Sequence, residues 1–430
     1  MVIPLGSAVR RVAAVLTGLV IAALLIPQAI ILWIADHRID SQTIDVMQRG
    51  VALTPGNGTG WDQLGRLKQF DFLNPDVPGA IHDFQKAVTD DPRSAHFWID
   101  LAGAYQMTGD DARAADAFAR AKAAYPASAE VAFHYGNFLL LQQKYPEAFE
   151  QLRLAVRGDP AFLPLAISRT WRSTEDVDQL IDQVLPPTSE AYFQAIDFFS
   201  SSRQIDPALR VWRRLIALHQ RIPVERAFPF IDELIHEDRS DDVKQVWLEA
   251  LTMAGLPHDE PSDGSLVWNG NFSRDFLNGG LDWRWTPVLG ADFDYDTRPT
   301  SGSRAARLDF NGGSNIQLSA PAETIPVEPN TTYRFHALMR TVNITTESGM
   351  HFQIIDANHN TAPTASTEDL TGSHDWMPVE AELTTGAQTH FLVIFLERRP
   401  SRLFDNKLGG TVWITDVSLT PFAATGASSK

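Results

Sequence analysis

Pro92, Pro126 and Pro160 stand 34 residues apart. Ala80, Ala114 and Ala148 keep the same interval, as do Phe84, Phe118 and Leu152, and Ala87, Ala121 and Ala155. A fixed interval of this length restricts a chain to stacked copies of one supersecondary unit, because a single copy cannot bury its apolar face alone. In the middle unit Trp98, Leu101 and Tyr105 share one helix, Ala114, Phe118 and Ala121 the next, and Pro126 ends it. The small Ala positions let two antiparallel helices approach closely, aromatic side chains fill the groove against the neighbouring unit, and proline stops the second helix.

This pattern resembles the tetratricopeptide repeat, whose W-x2-L, Y, A-x3-F, A and P positions are matched one for one over 95–128. The first repeat opens with WDQLG at 61–65 but carries three extra residues around NPDVPG before Ala80. The third keeps Gly136, Ala148, Ala155 and Pro160, with Ala132 where Trp would stand. Beyond Pro160 the interval weakens to 35, linking Glu190 to Glu225, Ala208 to Val243 and Trp212 to Trp247. ALRVWRRLIAL and VKQVWLEALTM read as equivalent second helices, and Gly255 with Pro257 stops the last of them. Helical repeats, about five hairpins, are therefore expected over 61–255. The resemblance implies a concave surface that holds a peptide or another protein. Its first helices offer Asp62, Asp100, His134 and Asn137, with Arg66 and Lys68 only in the first, so a basic clamp for acidic C-termini is not expected.

Residues 12–35 carry no charge over 24 positions. At ~1.5 Å per residue a helix of this length covers roughly 36 Å, enough for a hydrocarbon core of about 30 Å. Arg10 and Arg11 precede it, and Asp36, His37 and Arg38 follow. The positive-inside rule then places residues 1–11 in the cytoplasm and the bulk outside, as a single-pass protein of the inner membrane. A cleavable signal peptide is the competing reading; its small-x-small site is not met at Ala35, since Trp33 lies two positions back. Residues 36–60 read as a linker. The formal charge of −17 argues against nucleic acid as a partner. The absence of Cys excludes disulfides, thiolate metal sites and a Cys nucleophile.

After a linker at 256–264 the period changes to two. TYRFHALMRTV, MHFQIID, HFLVIFLER and TVWITDVSL are short alternating or apolar runs separated by turn clusters such as NGGS, VEPNTT and NKLGG. Seven or more such runs over 265–422, with a tail at 423–430, predict an antiparallel β-sandwich of jelly-roll type. The fold class is thus multidomain α plus β: an apolar N-terminal helix, an α-solenoid and a jelly-roll sandwich.

LVWNGNFSRDFLNGGLDWRW at 266–285 resembles the opening strand of galactose-binding-like sandwiches, including many carbohydrate-binding modules, and GTVWITDVSLTPF resembles their closing strand. Anchor, repeats and sandwich together resemble proteins encoded in bacterial exopolysaccharide loci. The resemblance implies glycan binding by the sandwich, and a structural calcium held by an acid after N-G-x-F and an Asp of the closing strand. Asp416 fills the second position; Ser273 and Thr415 depart from the pattern and weaken a site that wants six to eight oxygens. The aromatic candidates for sugar contact are Trp283 and Trp285, two apart and so on one face of an extended stretch, with Tyr295 and Trp376. Either member of the Trp283–Trp285 pair is also compatible with burial, and Trp268 and Trp413 are expected in the core. Asp292, Asp294 and Asp296 alternate with Phe293 and Tyr295 as a solvated strand face; Thr297 and Ser303 exclude an EF-hand loop.

No H-E-x-x-H, G-x-S-x-G or G-x-x-x-x-G-K motif occurs, and His351, His359, His374 and His390 lack ligand spacing. The sequence therefore predicts a non-catalytic, membrane-anchored scaffold that docks a protein through its repeats and a glycan through its sandwich. Two rivals are a polysaccharide-processing enzyme with paired carboxylates in a cleft of the sandwich, and a scaffold contacting protein alone.

Overall fold

The computed structural model describes residues 8–41, 43–257, 264–296, 304–359 and 364–422. The chain forms two compact units, Met1–Pro186 and Pro187–Lys430.

The first unit is helical. α1 (Ala8–Ile39) is followed by α2 (Ile44–Leu53) and then by antiparallel pairs: α3 (Gly58–Gln69) with α4 (Val77–Asp90), α5 (Ala95–Met107) with α6 (Asp111–Ala124), and α7 (Ala129–Leu141) with α8 (Tyr145–Gly158). α9 (Leu163–Thr174) pairs with α10 (Val177–Gln179), which continues as a π turn over Leu180–Val184. Asp76, Asp110 and Ser128 start α4, α6 and α7 by accepting the first free backbone N–H groups. The repeated residues carry the packing: Ala80, Ala87, Ala114, Ala121, Ala148 and Ala155 are all buried between helices. Gly65 lies so close under the Phe84 ring that a Cβ there would stand 2.7 Å from it. Trp61 and Trp98 donate their indole N–H groups to the carbonyls of Pro55 and Pro92, a link that Ala132 of the third repeat cannot make.

α1 is the one helix among the described residues long and apolar enough to cross a membrane; a membrane anchor and a signal sequence both take this form. The stretch 36–60, expected as a linker, folds instead. Ile39 at the end of α1 joins Met47 and Val51 of α2 and Leu64 of α3 in one core, because these apolar residues recur at helical spacing.

The second unit begins with two further hairpins, α11 (Ser189–Ser201) with α12 (Ile205–Ile216) and α13 (Phe228–His236) with α14 (Ser240–Ala254). Gly255, at φ +70°, closes α14 in the left-handed conformation that glycine adopts without strain. The sandwich follows as β1 (Ala291–Asp296), β2 (Ala305–Asn311), β3 (Leu318–Pro326), β4 (Thr332–Ile344), β5 (His351–Asp356), β6 (Ala365–Ser366), β7 (Gly372–Thr384), β8 (Phe391–Arg398) and β9 (Gly409–Pro421). Sheet order is β1-β2-β9-β4-β7 facing β3-β8-β5-β6, and every pairing is antiparallel. From β3 to β9 the chain crosses between the sheets at every connection except β5–β6, the jelly-roll arrangement. Alternation along β2, β4 and β9 sends Leu308, Phe310, Phe335, Ala337, Val412 and Ile414 into the core between the sheets.

The opening stretch 266–285 is not a regular strand. It runs irregularly beside β9, with Leu266 N–H donating to Leu419 O and Val417 N–H to Gly270 O, and forms only one bridge, Arg284 with Ala322. Its three glycines and three asparagines favour turns over a ladder. The stretch also ties the sandwich to the helices. The Trp247 indole of α14 meets Trp268 edge to face at 5.6 Å, and Gly279 and Gly280 press against Phe228 and Trp247. Residues 1–7, 258–263 of the expected linker, Thr297, Ser303 and the tail 423–430 lie outside the described residues.

Candidate functional site

Two surfaces gather chemistry, one in each unit. In the first unit, the leading helices of three successive hairpins align their ionisable side chains. Arg66 of α3 bridges Asp100 of α5 at 2.6 Å and Asp62 of its own helix at 3.3 Å. His96 lies 3.5 Å from Asp100 and 3.6 Å from Glu130 of α7, so the row crosses all three repeats. Asp62 is buried, and burial followed by the neighbouring Asp100 carboxylate raises its pKa well above the ordinary range. Ligand atoms of Asp62, His96 and Asp100 lie within 4.8 Å of one another, the one such group among the described residues. The Arg66 guanidinium already occupies the place between the carboxylates that a cation would take, so the cluster is an ion-pair network. Beside it opens a pocket of about 800 Å³ lined by Ile39, Ile44, Met47, Gln63, Arg66 and Phe70.

Replacing Arg66 with Met leaves two carboxylates facing each other. A carboxyl whose folded pKa exceeds its unfolded value binds its proton more tightly when folded, so that contribution is present at low pH and lost as pH rises through the folded pKa. The Arg66→Met protein is therefore expected to lose about 1–2 kcal/mol at about pH 8 and to recover as pH falls to about 5. Thermal melts across that range measure it; a deficit independent of pH would show that the carboxylate pair is not its source.

In the second unit, the outer face of the five-stranded sheet holds a cross-strand row. Asp294 of β1 pairs in register with Arg307 of β2, Arg307 with Trp413 of β9, and Trp413 with Arg340 of β4. All four point away from the core, since their neighbours Phe293, Leu308, Ile414 and Met339 point into it. The Trp413 indole is half-buried; its N–H donates to Asp296 at 3.2 Å and the Arg340 guanidinium stands over its ring at 5.0 Å. Arg307 also bonds Asp309, which accepts from Thr411, and Arg340 reaches toward Asp375 at 3.9 Å. An aromatic face ringed by guanidinium and carboxylate groups matches the two sides of a sugar ring, its C–H face and its hydroxyls.

The expected sugar residues are placed differently. Trp283 is fully enclosed, packed on Phe272 and Phe276, and offers no face to solvent; it is a core residue. Trp285 stacks on Phe293 at 5.1 Å and packs against the core. Tyr295 accepts the Phe276 N–H, lies under the Arg304 guanidinium, and has its phenol pushed up to about 12 by burial. These three thus meet, but in one aromatic cluster beneath β1. Trp376 stands apart, half-exposed on edge strand β7. Asp416 sits at a break in the β4–β9 register with φ +52°, and no group of three metal-ligating side chains includes it among the described residues. Trp413, expected in the core, is the aromatic that the sheet turns outward. TVWITDV contains the signal, because Val412 and Ile414 inward require Trp413 outward.

Paired carboxylates do occur in the sandwich, at Asp282 and Glu323. Both are buried, and burial raises the first to about 6 and the second well above its ordinary range. Asp282 accepts the N–H groups of Leu277 and Trp283, and Glu323 that of Trp268, so both pin the irregular opening stretch.

No protein-family model matches the chain, and none of the curated proteins searched is similar to it. Among solved structures, a MamA protein matches with 18% identity over 44% of this chain and 90% of its own, at a TM-score of 0.29. A CBM4 structure matches with 16% identity over 36% of this chain and 99% of its own, at 0.28. The enzymatically active domain of bacteriophage CBA120 tailspike protein 4 matches with 12% identity over 37% of this chain and 22% of its own, at 0.27. At these values the likenesses carry no inference about function.

Proposed function

We propose that this chain is a non-catalytic scaffold held in the inner membrane by residues 12–35, with a cytoplasmic N-terminus. Its helical repeats dock a protein partner along the row from Asp62 to Glu130 and the pocket beside it. Its sandwich engages a glycan on the outer face of the five-stranded sheet, in the assembly or export of a bacterial exopolysaccharide or O-antigen-like polymer. The observation that supports this reading most is the row Asp294–Arg307–Trp413–Arg340. Outward Arg and Asp alone make a solvated sheet face; a half-exposed indole in their midst adds the apolar platform that a pyranose needs. Confinement near the polymer machinery would make a weak contact useful through effective concentration.

The test is binding of the full chain, in lipid nanodiscs, to a panel of bacterial polysaccharides. Trp413→Ala is expected to weaken binding about tenfold or more, the equivalent of about 1.4 kcal/mol, with circular dichroism unchanged. The Trp285→Ala protein, altered in the cluster beneath β1, should bind within about twofold of wild type once folding is matched. Saturable binding that survives Trp413→Ala would move the glycan off this face.

A further inference from the structure

The strands of the sandwich run between two unlike ends. At one end Glu328, Asn358 and His390 face Lys244, the Ile235 carbonyl and Asp238 of the helices. β4, β5 and β8 each begin or finish there, so their other termini, at Ile344, His351 and Arg398, lie at the opposite end. Buried Arg398 locks the loops of that far end by donating to Asn315, the Ile316 carbonyl, Thr346 and the Ser348 carbonyl. Further bonds bring the remaining turns to the same end: Asn315 to Ser401 O, Gly312 N–H to Leu408 O, and Asn311 N–H to Gly290 O.

On this fixed frame three large apolar side chains stand in water. Leu289 is 91% exposed, Leu403 59% and Phe404 105%. Arg399, Arg402 and Lys407 are exposed in the same loop as Phe404; Asp405 is its exposed acid, the exposed Glu347 accepts from Ser401, and Arg399 is paired with Glu397 at 3.1 Å. Among the described residues Arg402 and Lys407 form no ion pair, on a chain whose formal charge is −17. Ordered loops that hold such side chains out gain free energy when something covers them.

We propose that this tip is a membrane-contacting surface, selective for bilayers with anionic headgroups. The tip is built from separate loops, and leucine offers no flat face for a sugar. Apolar points flanked by Arg402 and Lys407 match the layered chemistry of a lipid interface. Leu289, Leu403 and Phe404 enter the acyl boundary while the cations, on flexible stems, stay level with the phosphates.

The chain contains no cysteine, so Asn406→Cys gives a unique position for an environment-sensitive fluorophore, and Thr384→Cys, at the end nearer the helices, gives a control. The labelled full chain is carried in vesicles of phosphatidylcholine with or without phosphatidylglycerol, some bearing a lipid-borne nitroxide quencher. At 406 a blue-shifted emission and quenching about threefold stronger than at 384 are expected, only with phosphatidylglycerol present and fading at high salt. Arg402→Glu with Lys407→Glu should reduce the contacting fraction about fivefold for each cation removed. Leu403→Ser with Phe404→Ser should abolish the shift; if that pair melts lower than wild type, Phe404→Gln alone serves. Equal quenching at 406 and 384, indifference to phosphatidylglycerol, or a shift evoked by soluble polysaccharide without contact to lipid would each overturn the proposal.

Discussion

Arg398→Met is expected to lower the stability of the sandwich by about 3–5 kcal/mol, the range for stripping a buried charged group from its hydrogen-bonded partners. Arg398 is wholly buried, and its oxygen partners are two backbone carbonyls, an amide and a hydroxyl. Burial pulls its pKa down from the usual guanidinium value, with Glu347 and Asp369 opposing that shift from nearby. Removing the charge relieves its desolvation, but the carbonyls of Ile316 and Ser348 cannot be removed with it. The Ile316 carbonyl then loses its guanidinium donor at about 1–3 kcal/mol, while the Ser348 carbonyl keeps only the Thr346 hydroxyl. Lysine should rescue little, because one ammonium on a flexible stem cannot reproduce a planar fork spanning three loops. Hydrogen exchange separates this from general loosening: amides near 346–348 and 401–409 should lose protection first. A variant melting within about 0.5 kcal/mol of wild type would mean that water replaces the guanidinium without loss.

Trp247→Ala should be nearly as severe and should reach further. Truncating a buried tryptophan costs about 3–5 kcal/mol through lost transfer energy and the cavity left behind. Trp247 is buried at α14, tilts against Phe228, meets Trp268 edge to face, and lies against Gly280. Gly280 holds φ +60°, and any Cβ there would stand 2.3 Å from the indole. The contact therefore belongs to the helices and the sandwich at once. In wild type the hairpins α11–α14 and the sandwich are expected to unfold together. In the Trp247→Ala protein the helical signal should be lost at a lower temperature than the near-ultraviolet signal of the sandwich aromatics. If the two signals stay coincident and shift together by less than about 1 kcal/mol, the indole is not the coupling element.

The fold was readable where a residue's role is set by its own neighbours in sequence. The 34-residue interval works because Ala, Phe and Pro meet the same surroundings in each repeat, and the strands show because burial on one face forces alternation. The opening stretch departs from a regular strand for the converse reason: its path is fixed by Glu323 and β9, both distant in sequence, as well as by its own Asp282. The aromatic residues illustrate the same limit. Trp283 and Trp285, two apart, share one face only if the stretch is extended, and the burial equally open to them in sequence is decided by Phe272, Phe276 and Phe293, which converge on them. Trp413 needed only its own alternating strand to be assigned outward. The row from Asp62 to Glu130 lay beyond reading because His96 and Glu130 meet through the stacking of hairpins.

α1 does not stop where its apolar stretch stops. It continues unbroken to Ile39, and Ala35 and Ile39 are buried in the first unit, with Gly50 of α2 packed closely against Arg38. Between Pro27 and this contact the helix has no further proline to bend it, and such a helix transmits torque. Each residue added to or deleted from α1 below this contact turns the first hairpin by about 100° about the helix axis, and about four residues restore its facing. Around the axis of α1, the compass bearing of the Arg66 row is thus written in the residue count of a segment that never touches it.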